Sequence, residues 1–139
     1  MMAVDAQGID SLLARYISAC EALDIDKIVE CFDKDAIVSD PICATIKGRK
    51  AIAQYFQGLY EGLSSLKLCV GPAFYNGSDV ACYWSGGAVR ADGQEFQYQG
   101  IDVFKTTALP AISQMVAYWD PSAFAGATPR PDEPARENQ

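Results

Sequence analysis

The sequence predicts an α+β fold, with helices from its first half packed against a curved antiparallel sheet built by its second half. Three observations carry this expectation. Up to about residue 60, apolar residues recur at spacings of three and four, the period of a helix with one buried stripe. Four runs rich in Val, Ile, aromatic and Cys residues follow, separated by short turn signals, as in a meander of antiparallel strands. The chain has 139 residues, 50% of them hydrophobic, which suits one compact domain with a sizeable core. Helices that precede strands, rather than alternate with them, point to α+β.

The elements follow in order. Ile9, Leu12, Leu13, Tyr16, Ile17, Cys20 and Leu23 form the apolar stripe of a first helix. Residues 24–32 read as a second, short helix with Ile25, Ile28, Val29 and Phe32 inward, capped by Asp24 or Asp26. Asp33-Lys34-Asp35 reads as a polar turn, and Ala36-Ile37-Val38 as a short strand ending at Asp40-Pro41. A third helix starts near Gly48-Arg49 and buries Ile52, Phe56 and either Leu59 or Tyr60. The strands are expected at 66–75, 79–90, 95–106 and 112–119. Tyr75-Asn76-Gly77-Ser78, Ala91-Asp92-Gly93 and Ala108-Leu109-Pro110 are the turns between them. A single domain is expected over residues 1–125. Residues 126–139 hold three prolines and five charges with no apolar period, and are expected to be a mobile tail.

Composition removes whole classes of chemistry. There are 18 acidic and 11 basic residues, a formal net charge of −7, and no histidine. A Ser-His-Asp or Cys-His nucleophile and a His-ligated metal are therefore impossible. The acidic balance argues against a non-specific nucleic-acid binder, which needs Lys and Arg to neutralise phosphates. The five cysteines are odd in number and form no CxxC pair, so they read as reduced, mostly buried small hydrophobes. The start of the chain lacks a basic segment followed by an apolar one. No run approaches the roughly 18 apolar residues of a membrane span. The expectation is a soluble cytoplasmic protein that needs no metal or cofactor and engages no membrane.

Three polar residues fall on apolar faces. Alternation in the strand 95–106 puts Phe96, Tyr98, Gly100, Asp102 and Phe104 on one side, and Gln97, Gln99, Ile101, Val103 and Lys105 on the other. Asp102 thus shares a face with three aromatics. Burial should raise its pKa and favour a neutral carboxylic acid that can donate a hydrogen bond. The plainer alternative is a buried Asp paired with an Arg or with backbone amides. Asp40 ends the inward set Ala36, Val38, Asp40, where a carboxylate beside a pocket can act as a base. Its alternative is a turn residue that caps a loop. Tyr16 lies in the middle of the first helix's stripe, and a buried phenol needs a partner. Its alternative is a core tyrosine bonded to a carbonyl. Gly100 lets another backbone or a ligand approach closely.

Taken together, the runs Ala14-Arg15-Tyr16-Ile17, Ile28-Val29 to Val38-Ser39-Asp40-Pro41, Gly48-Arg49-Lys50-Ala51-Ile52 with Phe56, Ile101-Asp102-Val103-Phe104 and Met115-Val116-Ala117-Tyr118-Trp119 resemble the bacterial ketosteroid isomerases. The resemblance spans residues 9–119. More broadly it reaches the NTF2-like, or SnoaL-like, superfamily. The Gly-Arg before a helix is common there, whereas Tyr, Asp-Pro and a late Asp in register are more specific. The resemblance implies a cone-shaped barrel of three N-terminal helices on a strongly curved antiparallel sheet. It implies a deep apolar pocket and a homodimer packed through the outer sheet face. It implies a steroid Δ-isomerase, which moves a double bond of a 3-oxosteroid from the β,γ to the α,β position. Asp40 matches the general base, and Tyr16 and a protonated Asp102 match the donors to the dienolate oxygen. Trp119 and Met115, with Phe56, Cys20 and Tyr98, are expected to bind the apolar, steroid-like substrate.

The sequence also departs from the family. Supporting tyrosines found in some members are here Phe32 and Phe56, with Tyr55 one residue out of register, about 100° round the helix. Their hydrogen-bond network is expected to be absent or rebuilt. Ser85 and Gly87 stand where bulkier pocket residues are expected, which predicts a roomier or differently shaped pocket. Two alternatives stay open: a polyketide cyclase or related enzyme acting on a polycyclic ketone, and a non-catalytic module with a hydrophobic cavity.

Overall fold

The computed structural model describes residues 6–123; the residues expected to form a tail lie outside them. Its elements run α1 (Ala6–Glu21), α2 (Ile25–Glu30), β1 (Phe32–Asp40), β2 (Cys43–Lys47), α3 (Arg49–Leu59), β3 (Leu63–Asn76), β4 (Asp79–Arg90), β5 (Glu95–Thr106) and β6 (Ile112–Trp119), followed by a 3₁₀ turn at Pro121–Ala123. The six strands form one open sheet in the order β2-β1-β6-β5-β4-β3. No helix among the described residues is long and apolar enough to cross a membrane.

The helices lie against one face of this sheet and share its core. Ile9, Leu12, Tyr16 and Cys20 are the buried stripe of α1, and Ile52 and Phe56 that of α3. They meet Phe32, Val38, Phe104, Ile112 and Met115 from the strands in one cluster. Asp24 caps α2 by accepting a hydrogen bond from the Lys27 amide at 3.2 Å, which settles the choice between Asp24 and Asp26. The three later strands fall where alternation put them, and their inward residues are the buried ones. On β5, Phe96, Asp102 and Phe104 are buried while Gln97, Gln99, Ile101 and Lys105 are exposed.

Three expectations about the first half need correction. Asp33-Lys34-Asp35 is no turn but part of β1. The strand slips register against β6 between Phe32 and Ile37, so its polar triplet sits in an irregular stretch. There Arg49 donates through Nε and Nη2 to the Phe32 carbonyl, at 2.9 and 2.7 Å. Strand β2 was not expected at all; it is short, lies at the sheet edge and is mostly exposed, so it carries little hydrophobic signal. The sheet is also not purely antiparallel, because β1 pairs in parallel with β6. Parallel neighbours need a long crossover, and α3 with the meander β3–β5 supplies it.

One glycine fixes the inner surface. Gly100 lies between Trp84 on β4 and Trp119 on β6. A Cβ there would stand 2.4 Å from the Tyr118 carbonyl oxygen, 2.7 Å from Trp84 Cζ2 and 2.9 Å from Trp119 Cβ. The first obstacle is backbone and cannot swing aside. Gly100→Ala should therefore cost about 1–3 kcal/mol, the usual penalty for overpacking, measured by urea unfolding. An unchanged midpoint would refute this close approach.

Candidate active site

The concave face closes over one small cavity. Helix α1 contributes Tyr16 and Cys20, α3 contributes Tyr55 and Phe56, and Tyr60 follows at the end of α3. Strand β4 contributes Trp84, β5 Tyr98 and Asp102, and β6 Met115 and Trp119. Of the eight residues singled out in the sequence, seven thus meet in one place. Asp40 alone is not on the cavity wall.

Asp102 occupies the inner face of β5, opposite Cys82 of β4 and Ala117 of β6. No arginine among the described residues pairs with it. Burial raises its pKa from an ordinary 3.8 to about 7; a hydrogen-bond contribution from Trp84 lowers it and the Asp40 charge raises it. The indole lies close enough to act on the carboxyl yet outside strict hydrogen-bond geometry: Trp84 Nε1 and Asp102 Oδ1 are both sealed and unpartnered. Asp102 is thus poised between a neutral donor and an anion near neutrality.

Tyr16 is buried and makes edge-to-face contacts with Phe32, Phe56 and Phe104. Its hydroxyl donates to Met115 Sδ at 3.4 Å, a weak acceptor. It therefore has no carbonyl partner of the kind a core tyrosine takes, and can turn to a better acceptor in the cavity. Burial pushes the phenol well above its usual range, so it stays protonated. Cys20 sits between the Tyr16 and Tyr60 hydroxyls, and burial pushes its thiol up to about 12.

Asp40 is half-buried at the end of β1, where the register against β2 shifts. Its Oδ1 accepts from the amides of Ile42 and Cys43, each at 2.9 Å. Its Oδ2 accepts from the Tyr55 hydroxyl in a short hydrogen bond. The expectation that Asp40 faces the pocket is corrected: one oxygen caps the β1–β2 turn, and Tyr55 stands between the other and the cavity. Tyr55 thus reaches Asp40 and not Tyr16.

The expected roominess is corrected as well. The cavity measures about 50 Å³, space for a water or two. Ser85 and Gly87 are not on its wall; strand alternation gives that place to Trp84. Trp84 packs edge-to-face on Tyr98, which packs in turn on Trp119, and these rings fill the space. Tyr60 and Trp84 are among the cavity residues to which the sequence assigned no site role. The alternation Val80, Cys82, Trp84 on β4 carried the signal for the second.

With this geometry in place, comparison with known proteins decides the family. A model of the SnoaL-like domain matches residues 13–108. The chain belongs to the SnoaL-like family. The likeness extends to solved structures at low identity, which speaks for the fold alone. One is an NTF2-like protein of unknown function from Exiguobacterium sp. 255-15. It is 18% identical, with a TM-score of 0.68 over 78% of this chain and 98% of that one. Another is SalBIII, an epoxide hydrolase/cyclase-like enzyme in pyran ring formation in polyether salinomycin. It is 22% identical, with a TM-score of 0.74 over 86% and 95%. Among curated proteins, the ECF RNA polymerase sigma factor SigG of two Mycobacterium tuberculosis strains is 31% identical over 126 residues, 89% of this chain. The chain spans about a third of the length of these relatives, 32%.

The buried carboxyl of this SnoaL-like domain carries a signature in stability. A raised folded pKa means that the folded state holds its proton longer than the unfolded one. No penalty exists below pH 3.8; it grows as pH rises to about 7 and is complete above that. The full effect is roughly 4 kcal/mol. The melting temperature of the native chain should therefore fall relative to Asp102→Asn between about pH 4 and 8. Parallel pH profiles for the two proteins would contradict the assignment.

Proposed function

We propose that this SnoaL-like domain is a cofactor-independent acid–base enzyme acting on an enolisable ketone, with chemistry of the ketosteroid isomerase type. The observation that carries the reading is Asp102, a carboxyl on the cavity wall with no cationic partner among the described residues and a pKa raised to about 7. A neutral acid there, with the Tyr16 hydroxyl, offers two donors to an oxygen on which charge develops. Such donors in a water-poor site lower a barrier by several kcal/mol. Asp40 would act as the base. It would remove a proton next to the carbonyl and return it two carbons further on, so that β,γ becomes α,β unsaturation. Its hydrogen bond to Tyr55 makes that phenol the gate: the Tyr55 hydroxyl must swing away from Oδ2 before the carboxylate meets a substrate proton.

The cavity volume bears on the substrate. Small-molecule sites usually offer roughly 300–1,000 Å³, far above the space here. A 3-oxosteroid would require Trp84, Tyr98 and Trp119 to move apart, whereas a one-ring ketone needs a smaller shift. The test is a β,γ-unsaturated 3-oxosteroid beside a β,γ-unsaturated cyclohexenone, with ultraviolet absorbance reporting the conjugated product. Turnover should fall by about 10²–10⁴-fold in Asp40→Asn, the range for a general base. It should also fall substantially in Tyr16→Phe and Asp102→Leu. No turnover of either compound, or full turnover by Asp40→Asn, would sink this reading.

The sigma-factor relatives favour a second reading, a non-catalytic module that senses an apolar ligand within a larger protein. It predicts tight ligand binding without turnover, with Asp40→Asn binding as the native chain does. Either reading is compatible with a homodimer through the outer sheet face. There Tyr83, Ile101 and Tyr118 stand side by side across β4, β5 and β6, each between 44% and 57% exposed. On that reading the native chain sediments as a dimer and Ile101→Asp as a monomer, a comparison that analytical ultracentrifugation makes directly.

A further inference from the structure

The cavity wall holds a donor and an acceptor that the protein leaves unmatched. Trp84 Nε1 and Asp102 Oδ1 are both sealed from solvent without a hydrogen-bond partner, and leaving such groups unpaired is unfavourable. They belong to neighbouring strands and one face: Cys82 is opposite Asp102, and Trp84 is opposite Gly100, two residues before it. The glycine explains how the indole comes to lie there. Trp84 Cζ2 is 2.7 Å from where a Cβ of Gly100 would stand. That carbon is bonded to the one bearing Nε1, so the missing side chain admits the N–H edge of the ring over β5, beside Asp102.

We propose that Trp84 is a ligand-contacting residue, and that its indole N–H and the Asp102 carboxyl together grip one oxygen of a phenol or an enolisable ketone. This rests on the reading of Asp102 as the acid of the site, and extends it to a residue without an assigned role. The chemistry of the two groups selects the ligand. An indole N–H only donates, whereas a carboxyl donates when neutral and accepts when ionised. A carbonyl or enolate oxygen accepts from both. A phenol or enol hydroxyl accepts from Trp84 and donates to ionised Asp102. An oxygen that gains and loses a proton is therefore satisfied in each of its forms. An ammonium group is not, because it would face the indole's own hydrogen. The surrounding rings, Tyr98 and Trp119 among them, suit a flat apolar body behind that oxygen.

The chain has two tryptophans, so a nitrogen–proton correlation spectrum shows two indole signals, and Trp84→Phe assigns the one from Trp84. The probe is 4-nitrophenol, whose visible absorbance also reports its own ionisation. On saturation the Trp84 indole proton should move downfield, and Trp84→Phe should bind the probe about tenfold more weakly, one hydrogen bond's worth. Phe keeps most of the ring packing; where that variant does not fold, Trp119→Phe leaves the Trp84 signal alone in the spectrum and assigns it, and the native-chain spectrum then decides the matter. Absence of binding, binding that leaves the Trp84 signal in place, or a signal that follows Asp102 ionisation but not the probe would each overturn the proposal. If the signal responds while neither ketone is turned over, the oxygen site stands and the isomerase reading falls. If the ketones are turned over and Trp84→Phe binds the probe as the native chain does, this proposal falls alone.

Discussion

The register of β5 between β4 and β6 is the constraint on which the rest of the molecule depends. Side chains alternate along a strand, so a slip of one residue would turn Tyr98, Asp102 and Phe104 outward and bring Gln99, Ile101 and Val103 into the core. Hydrophobic burial forbids that slip, because Phe96 and Phe104 anchor the two ends of the strand inside. A carboxyl is thereby carried into the interior by its neighbours. Its burial is unfavourable by itself and is tolerated because Asp102 can hold a proton. Gly100 belongs to the same constraint: it sits on the inner face two residues from Asp102, where both flanking strands press closest.

That placement decides how the other polar groups can behave. The cavity is rich in phenols: Tyr16, Tyr55, Tyr60 and Tyr98 all reach it. Burial raises each of their pKa values, so every one remains a neutral donor around the single carboxyl on the wall. A site without histidine thus gathers its hydrogen-bonding capacity from hydroxyls, a thiol, an indole and two carboxyls of unlike surroundings. Asp102 has aromatic neighbours and, among the described residues, no cation. Asp40 has two amides and a phenol. Asp40 is thus engaged by donors on both oxygens, whereas the walls around Asp102 favour its neutral form.

Much of this was legible in the sequence, where a periodicity was long and strict. The β5 pattern, the α1 stripe and the turns around Gly77 and Gly93 are local signals, and they located Tyr16 and Asp102 on one interior surface. What escaped was non-local or weakly patterned. Parallel pairing of β1 with β6 is a property of the whole chain path. Strand β2 buries almost nothing. The orientation of Asp40 turned on a register shift at the strand end, which alternation cannot foresee. Trp84 escapes because the small residues Ser85 and Gly87 beside it suggest open space. Gly86 does lie under Leu68 and Tyr98, but the neighbouring indole fills the room that two small residues suggested.

The contrast between fixed and movable parts narrows what the site can admit. Asp102 is set by strand backbone, and Asp40 is held by two amides of a tight turn, so neither can travel far. Tyr98 meets Trp84 and Trp119 edge to face, an arrangement worth about 0.5–1.5 kcal/mol per pair beyond area. Parting one such pair costs less than a ligand ring gains on burial, at about 25 cal/mol per Å² of apolar area. A ligand can therefore enlarge the cavity by displacing rings while the carboxyls keep their places. On the proposed reading, the oxygen-binding end is common to every ligand, and the rings decide how large a body follows it. There, selectivity for a functional group would be built into the backbone, and selectivity for size left to side chains.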